Sequence, residues 1–477
     1  MSLGDLALRA ARRYNLLSED GALQLGPVSL MRTRRLRDIT DLARRVDRLL
    51  VRSRLDAPAL SPESCVAGRP RSVVFIRHSY YNFFYLAQAL RRRGWDALSV
   101  SAEDPKGPNS QFYHGEDLNL FDPDPERLQH NIEALHHEVS RRFRMVHFYG
   151  RGCMSFFEKG YDGFPHFATV PRDFLALREI GVKFGYSISG CLDGVAQSTV
   201  HAWSGGACDR CVWQKNAAVC TDPGNLAWGQ KVHMFCDLIA TEGFPALDWQ
   251  SSSKAYREPL TTALDAEFWR PDLEIPPKWR LPRAPGELIV YHGVGNFRDR
   301  SRGARNIKGT AAVIDAIDRL RDEGMKVRLE FVSDLPNTEV RFIQAQADVI
   351  VDQLNHGRYG ATAREGMMLG RPTVCHMNRS EPSGAPRLKS IDSCPLVSAN
   401  EESVYAVLKD LLSDEAKRHA IGKAGRDYAL KWHSADACAE RFEEVYDRLM
   451  LGLTPVALPP DVDSHRAAPA PTPEPLD

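Results

Sequence analysis

Two segments of the second half of the chain carry residue types that could bind a diphosphate and a sugar ring. The first is YHGVGNFRDRSRGARNIKGT (291–310), a glycine- and arginine-rich loop between a strand-like run and a helix-like run. Gly293 and Gly295 would let backbone approach a ligand closely, with Asn296 beside them. Arg305 and Lys308, followed by Gly309, would face the same crevice. A diphosphate needs cations that stay charged and a helix N-terminus with free N–H donors, and this segment supplies both. The second segment is DQLNHGRYGATAREGMMLGRPTVC (352–375). It reads as a strand end, a turn holding Gly357 and Gly360, and a helix from about Ala361 with Glu365 in its first turn. A carboxylate there can stabilise the helix dipole, or accept both hydroxyls of a ribose.

A third cluster lies in the first half. Cys191, Cys208, Cys211 and Cys220 are spaced C-x16-C-x2-C-x8-C. Four thiolates with one C-x2-C turn can close a tetrahedral zinc site, or hold an iron–sulfur cluster. The stretch between them, Ser198–Ala218, shows no clear helix or strand period, so a metal would give it a reason to be ordered. His201 and Cys236 are possible substitute ligands, while Cys65, Cys153, Cys375, Cys394 and Cys438 show no pattern and read as packing residues.

The elements that position these groups alternate between strand and helix. In the first half SVVFI (72–76), ALSVS (97–101), MVHFYG (145–150), VKFGYSIS (182–189) and DLIATEG (237–243) read as strands, with helices between them. Prolines 276, 277, 282 and 285 mark a linker. The pattern then restarts with ELIVYHG (287–293), VRLEFVS (327–333), DVIVDQL (348–354) and PTVCHM (372–377). The fold class expected is α/β, two Rossmann-like domains with parallel sheets facing across a cleft. The divisions are an extension at 1–70, a first domain at 71–275 with the cysteine-rich insertion (191–220), a second domain at 286–450, and a disordered proline-rich tail at 451–477.

The order of these motifs resembles GT-B glycosyltransferases of the family 4 type. NIKGT after a strand, then REGMMLGRPTV some way downstream, are similar to that family's two donor-binding motifs. The resemblance covers roughly residues 285–450 and implies that Arg305 and Lys308 hold the donor diphosphate, Glu365 the nucleotide ribose. It extends more weakly to HSYYNFFYLAQALRRRGWDA (78–97) and VHFYGRG (146–152), implying acceptor-side roles for Asn82 and His147. Two positions depart from the pattern. Gly357 stands where the family often has a second Glu that contacts the donor sugar. Tyr149 stands where it has an active-site His, and a phenol is a poor base near neutral pH.

The resemblance implies transfer of a sugar from a nucleoside diphosphate sugar to an acceptor hydroxyl, with retention and with no cofactor required for chemistry. The acceptor would be a glycan, a lipid-linked compound or a small molecule. Two alternatives stand beside it: a nucleotide-sugar epimerase of the same architecture, and a non-catalytic nucleotide-sugar-binding or scaffold protein.

Composition narrows the setting. Lys plus Arg equals Asp plus Glu at 62 each, so there is no global basic field for nucleic acid. No run of apolar residues approaches a membrane span, and the N-terminus lacks a signal-peptide pattern, so a cytoplasmic location is expected. Arginines and apolar residues alternate at helical spacing over 34–50. That helix could pack on the body, or bring the chain to an anionic membrane face or a partner.

Overall fold

The computed structural model describes residues 68–77, 80–107, 109–150, 172–214, 216–217, 219–241, 248, 252–300, 306–381 and 387–456. The expected basic helix at 34–50, Arg305 and most of the proline-rich tail lie outside the described residues. Two wholly parallel sheets form the frame. The first has seven strands in the order β3-β2-β1-β4-β5-β6-β7. These are β1 (Ser72–Ile76), β2 (Asp96–Ser101), β3 (Leu118–Asn119), β4 (Met145–Tyr149), β5 (Lys183–Ser187), β6 (Leu238–Ala240) and β7 (Ala255–Tyr256). The second has five in the order β12-β11-β10-β8-β9. These are β8 (Leu288–Gly293), β9 (Val327–Val332), β10 (Val349–Val351), β11 (Thr373–Cys375) and β12 (Val397–Ser398). This is the expected α/β layout of two Rossmann-like domains with parallel sheets.

The helices start and stop where side chains dictate. In the first domain they are α1 (Asn82–Arg92), α2 (Pro125–Arg142), α3 (Arg172–Glu179), α4 (Gln197–Ser204) and α5 (Asp222–Phe235). The second carries α6 (Thr310–Asp322), α7 (Asn337–Gln344), α8 (Ala361–Met368), α9 (Val404–Ser413), α10 (Glu415–His433) and α11 (Ala435–Met450). Asp124 caps α2 through the amide of Glu126, with Pro125 entering the first turn, where its missing N–H costs nothing. Thr221 caps α5, Asp414 caps α10 and Ser434 caps α11 in the same way.

The two domains share a core. Phe75, Leu86 and Leu90 of the first domain belong to one buried cluster with Met367 and Met368 of α8, Leu369 just after it, and Phe442 and Tyr446 of α11. The last helix therefore packs on the first domain. Glu443 fixes it there, accepting from Trp95 Nε1 at 2.6 Å and pairing with Arg93, while Arg71 reaches Asp447 at 2.5 Å. The proline linker is docked rather than loose: Trp279 and Leu281 pack against the second sheet, and the Leu281 amide donates to Gln346 Oε1 at 2.9 Å.

Two expectations are corrected. Glu365 is the fifth residue of α8, one turn later than expected. The segment between the cysteines contains a helix, α4, and a 3-10 turn at Ala207–Arg210.

Candidate active site between the two sheets

Each sheet reverses its strand order once, between β1 and β4 in the first and between β8 and β10 in the second. Ligands of open α/β sheets bind at such points, beyond the carboxyl ends of the strands. A cleft with a volume of about 320 Å³ lies there, lined from both domains. This is within the size range of small-ligand sites. Tyr80, Tyr81 and Tyr149 line it from the first domain; Gly293, Gly295, Lys308, Gly360 and Glu365 line it from the second.

Lys308 sits at its edge with a side chain 12% exposed, paired with the fully buried Asp352. Asp352 also accepts the Gly360 amide at 2.8 Å. Burial pushes the Asp352 carboxyl up, but Lys308 and that amide more than offset it and hold the group below its ordinary value. Lys308 is thus a held cation whose charge is partly balanced from behind. Gly360 lines the cleft, yet its N–H is spent on Asp352.

Glu365 is 2% exposed and satisfied by protein donors. Tyr81 Oη donates to Oε1 at 2.7 Å, Asn337 Nδ2 to Oε1 at 3.1 Å, and Gln344 Nε2 to Oε2 at 2.9 Å. Asn337 is oriented in turn by His114, whose Nε2 lies 2.6 Å from Asn337 Oδ1. His356 also lines the cleft, and burial lowers its imidazole to about 4, so it is neutral at physiological pH.

Gly295 is needed for closure of this cleft: a Cβ there would come within 2.8 Å of the Phe112 ring from the other domain. Gly357, at φ +85°, could carry a side chain only with strain. Trp203 of the cysteine-rich insertion fills the space beside it, 3.0 Å from where a Cβ would stand. The Arg358 guanidinium lies over the Trp203 ring, 4.8 Å from its centroid, and donates to Glu381 at 2.9 Å. Arg257 of the first domain pairs with the same Glu381.

Some sequence-derived site residues lie elsewhere. His147 is fully buried, bonded through Nε2 to Ser187 Oγ at 2.8 Å, and burial lowers its imidazole to about 3. It fills the space left by the missing side chain of Gly185 and does not line the cleft. Asn82 opens α1 and is 1% exposed; its neighbours Tyr80 and Tyr81 line the cleft in its place. Asn296 (φ +51°) shapes the turn, and Gly309 packs on Leu354 at the start of α6; neither is among the lining residues.

Among the described residues no group of three or more His, Cys, Asp or Glu side chains is placed to hold a metal ion. Cys191, Cys208, Cys211 and Cys220 are not joined in disulfides and lie close enough to influence one another. Burial first, then the neighbouring cysteines, push the Cys208 thiol up to about 12. Cys208 and Cys191 join Val195, Val200, Ala207 and Trp203 in a small apolar core, and Cys208 Sγ donates to the Gln197 carbonyl at 3.3 Å. Among the described residues no helix is long and apolar enough to cross a membrane.

Reasoning from sequence alone missed Asp352, Tyr81, Asn337 and Gln344. Asp352 was the most accessible of these: it directly follows a strand and precedes the glycine turn. Asn337 and Gln344 belong to an ordinary-looking amphipathic helix, and nothing in their spacing marks them.

No protein-family model matches the chain, and no curated protein matches its sequence. Among solved structures it is similar to sucrose-phosphate synthase from Thermosynechococcus elongatus, at 14% identity and a TM-score of 0.48, over 80% of this chain and 100% of that one. It is also similar to a glycosyltransferase from Rickettsia africae ESF-5, at 11% identity and 0.47, over 80% and 99%. A third is Anabaena Alr3699/HepE in complex with UDP-glucose, at 10% identity and 0.46, over 79% and 99%. Likeness at this level of identity describes the path of the chain alone.

Proposed function

We propose that the chain is a glycosyltransferase that moves a sugar from a nucleoside diphosphate sugar to an acceptor hydroxyl, with retention. The observation that carries the reading is the convergence of a held cation, Lys308, and a buried carboxylate, Glu365, on one cleft from two separate segments of the second domain, a loop and a helix. Their spacing along a donor follows from chemistry: the ammonium meets the diphosphate and the carboxylate meets the ribose. Arg305 is the second cation in this reading.

In the reaction, the bond from the anomeric carbon to the diphosphate oxygen breaks and its electron pair stays on the diphosphate. The acceptor oxygen bonds to the same face of that carbon, and its proton passes to the departing phosphate oxygen. Lys308 stabilises the charge that develops on the leaving group, so electrostatics carries most of the rate and no divalent ion is called for. Tyr80, Tyr149 and Phe112 give the acceptor side an aromatic wall, suited to the apolar face of a sugar ring. Closure would keep water from the activated donor.

The test is a panel of UDP-, ADP-, GDP- and dTDP-sugars, read by thermal shift and by release of nucleoside diphosphate. The reading predicts a shift with at least one donor, and release that depends on Lys308. No shift and no release with any donor would overturn it.

A further inference from the structure

Glu365 has a capacity problem. An ionised carboxylate offers about four acceptor sites. Tyr81, Asn337 and Gln344 occupy three of them. A ribose that donates two hydroxyls needs two, so one protein donor must leave. Asn337 and Gln344 stand on α7, in the same domain as Glu365, and move with it. Gln344 is 1% exposed. Asn337 is oriented by His114: burial lowers that imidazole to about 4 and keeps it neutral. Tyr85 Oη then donates to His114 Nδ1 at 2.8 Å, and Nε2 donates to Asn337 Oδ1. The Asn337 amide N–H is thereby aimed at Glu365.

Tyr81 differs from both. It belongs to the first domain, directly ahead of α1, and it reaches Glu365 across the cleft. Its ring packs against Trp269 at 4.8 Å and His114 at 4.6 Å. Opening of the cleft removes this one donor and leaves the second domain intact.

We propose that Tyr81 is a positioning residue that holds Glu365 in the donor-free cleft and is displaced from it by the ribose hydroxyls of a nucleoside diphosphate. This rests on the functional reading above. The phenol and the ribose exclude each other, so nucleotide binding carries the loss of the Tyr81–Glu365 bond. His114–Asn337 and Phe112–Gly295 are the neighbouring contacts across the same seam. Tyr81 thus keeps a buried carboxylate satisfied while no donor is present, and sets how much of the ribose contact is realised as affinity.

The experiment compares wild type with Tyr81→Phe by titration calorimetry, using UDP, ADP and GDP and the 2′,3′-dideoxy form of whichever binds best. Tyr81→Phe removes only the hydroxyl. It should bind the ribonucleotide about 10-fold tighter, the worth of a hydrogen bond to a charged group. The dideoxy form should gain nothing, and the free variant should melt at a lower temperature. A purely structural role would lower the melting temperature without changing the ribo-to-dideoxy ratio. Unchanged or weaker ribonucleotide binding in Tyr81→Phe overturns the proposal, as does an equal gain for the dideoxy form. If neither protein binds any of the three diphosphates, the assignment of Glu365 to a ribose falls and this inference falls with it.

Discussion

Removing Lys308 tests the diphosphate pocket, and the structure shows how to do it cleanly. Lys308→Ala alone would leave Asp352, fully buried, with the Gly360 amide in place of its cation. Stranding a buried charge in this way costs about 3–5 kcal/mol of stability. The informative variant removes the pair, Lys308→Ala with Asp352→Asn. Take two diphosphate charges about 4 Å from the ammonium and about 6 Å from the carboxylate, at an effective dielectric of about 20. The ammonium attracts them by about 8 kcal/mol and the carboxylate repels them by about 5.5 kcal/mol. The net loss on deleting the pair is about 3 kcal/mol, or roughly 100-fold in affinity. The single variant should lose at least as much and melt well below the double. Titration calorimetry with nucleoside diphosphates reads the first quantity and thermal unfolding the second. A double variant that binds every diphosphate as tightly as wild type would refute the assignment of Lys308.

Glu365→Gln should discriminate less between ribo- and 2′-deoxyribonucleotides than wild type does; equal discrimination in competition binding would count against the ribose assignment. Stability should fall as pH drops below about 6.5, the ordinary imidazole value. His147 at about 3, and His114, His292 and His356 at about 4, are neutral in the fold. The unfolded chain takes up protons the folded chain refuses, so this stability is complete above the unfolded value and is lost toward the folded ones. A melting temperature that stays flat from pH 7 to pH 5 would contradict this. Glu443→Ala should lower the melting temperature by loosening α11 from the first domain, at about 1–3 kcal/mol for its charged hydrogen bonds. Unchanged thermal unfolding would rule that out.

The fold was legible because its signals are local. Strand β1 falls on the bounds expected, Ser72–Ile76, and helix α2, Pro125–Arg142, fills an interval between strands where a helix was expected. The first is a continuous apolar run; the second opens on Asp124-Pro125. Short strands were overread: DLIATEG narrows to Leu238–Ala240, the three apolar residues of that run. The site was legible only where a motif lies contiguous in sequence. Lys308, Glu365 and the glycines of the cleft belong to such motifs. The Tyr81–Glu365 bond joins residues 284 apart, and no spacing rule marks it. His147 misled because a histidine within a strand looks the same in sequence whether it faces a ligand or fills the gap over Gly185.

Gly357 is where the sequence departs from the family pattern, and the fold gives that departure a cause. The insertion carrying Cys191 and Cys208 presents Trp203 to the second domain, and the ring occupies the volume a side chain at 357 would need. The seam around it is bonded from several directions: Asn378 donates to the Trp203 carbonyl at 2.6 Å, and Arg210 pairs with Glu401 at 3.0 Å. Arg358 and Arg257 converge on Glu381 behind the ring. A carboxylate at 357 would have to displace Trp203 and would disturb a buried Arg–Glu–Arg set whose charges depend on one another. Gly357→Glu should therefore cost about 1–3 kcal/mol from backbone strain alone. It should also weaken attachment of the insertion to the second domain. Thermal unfolding and protease sensitivity of residues 191–220 would read both effects. A Gly357→Glu variant as stable and as resistant as wild type would mean that Trp203 moves aside freely, and that the insertion is not what keeps this position small.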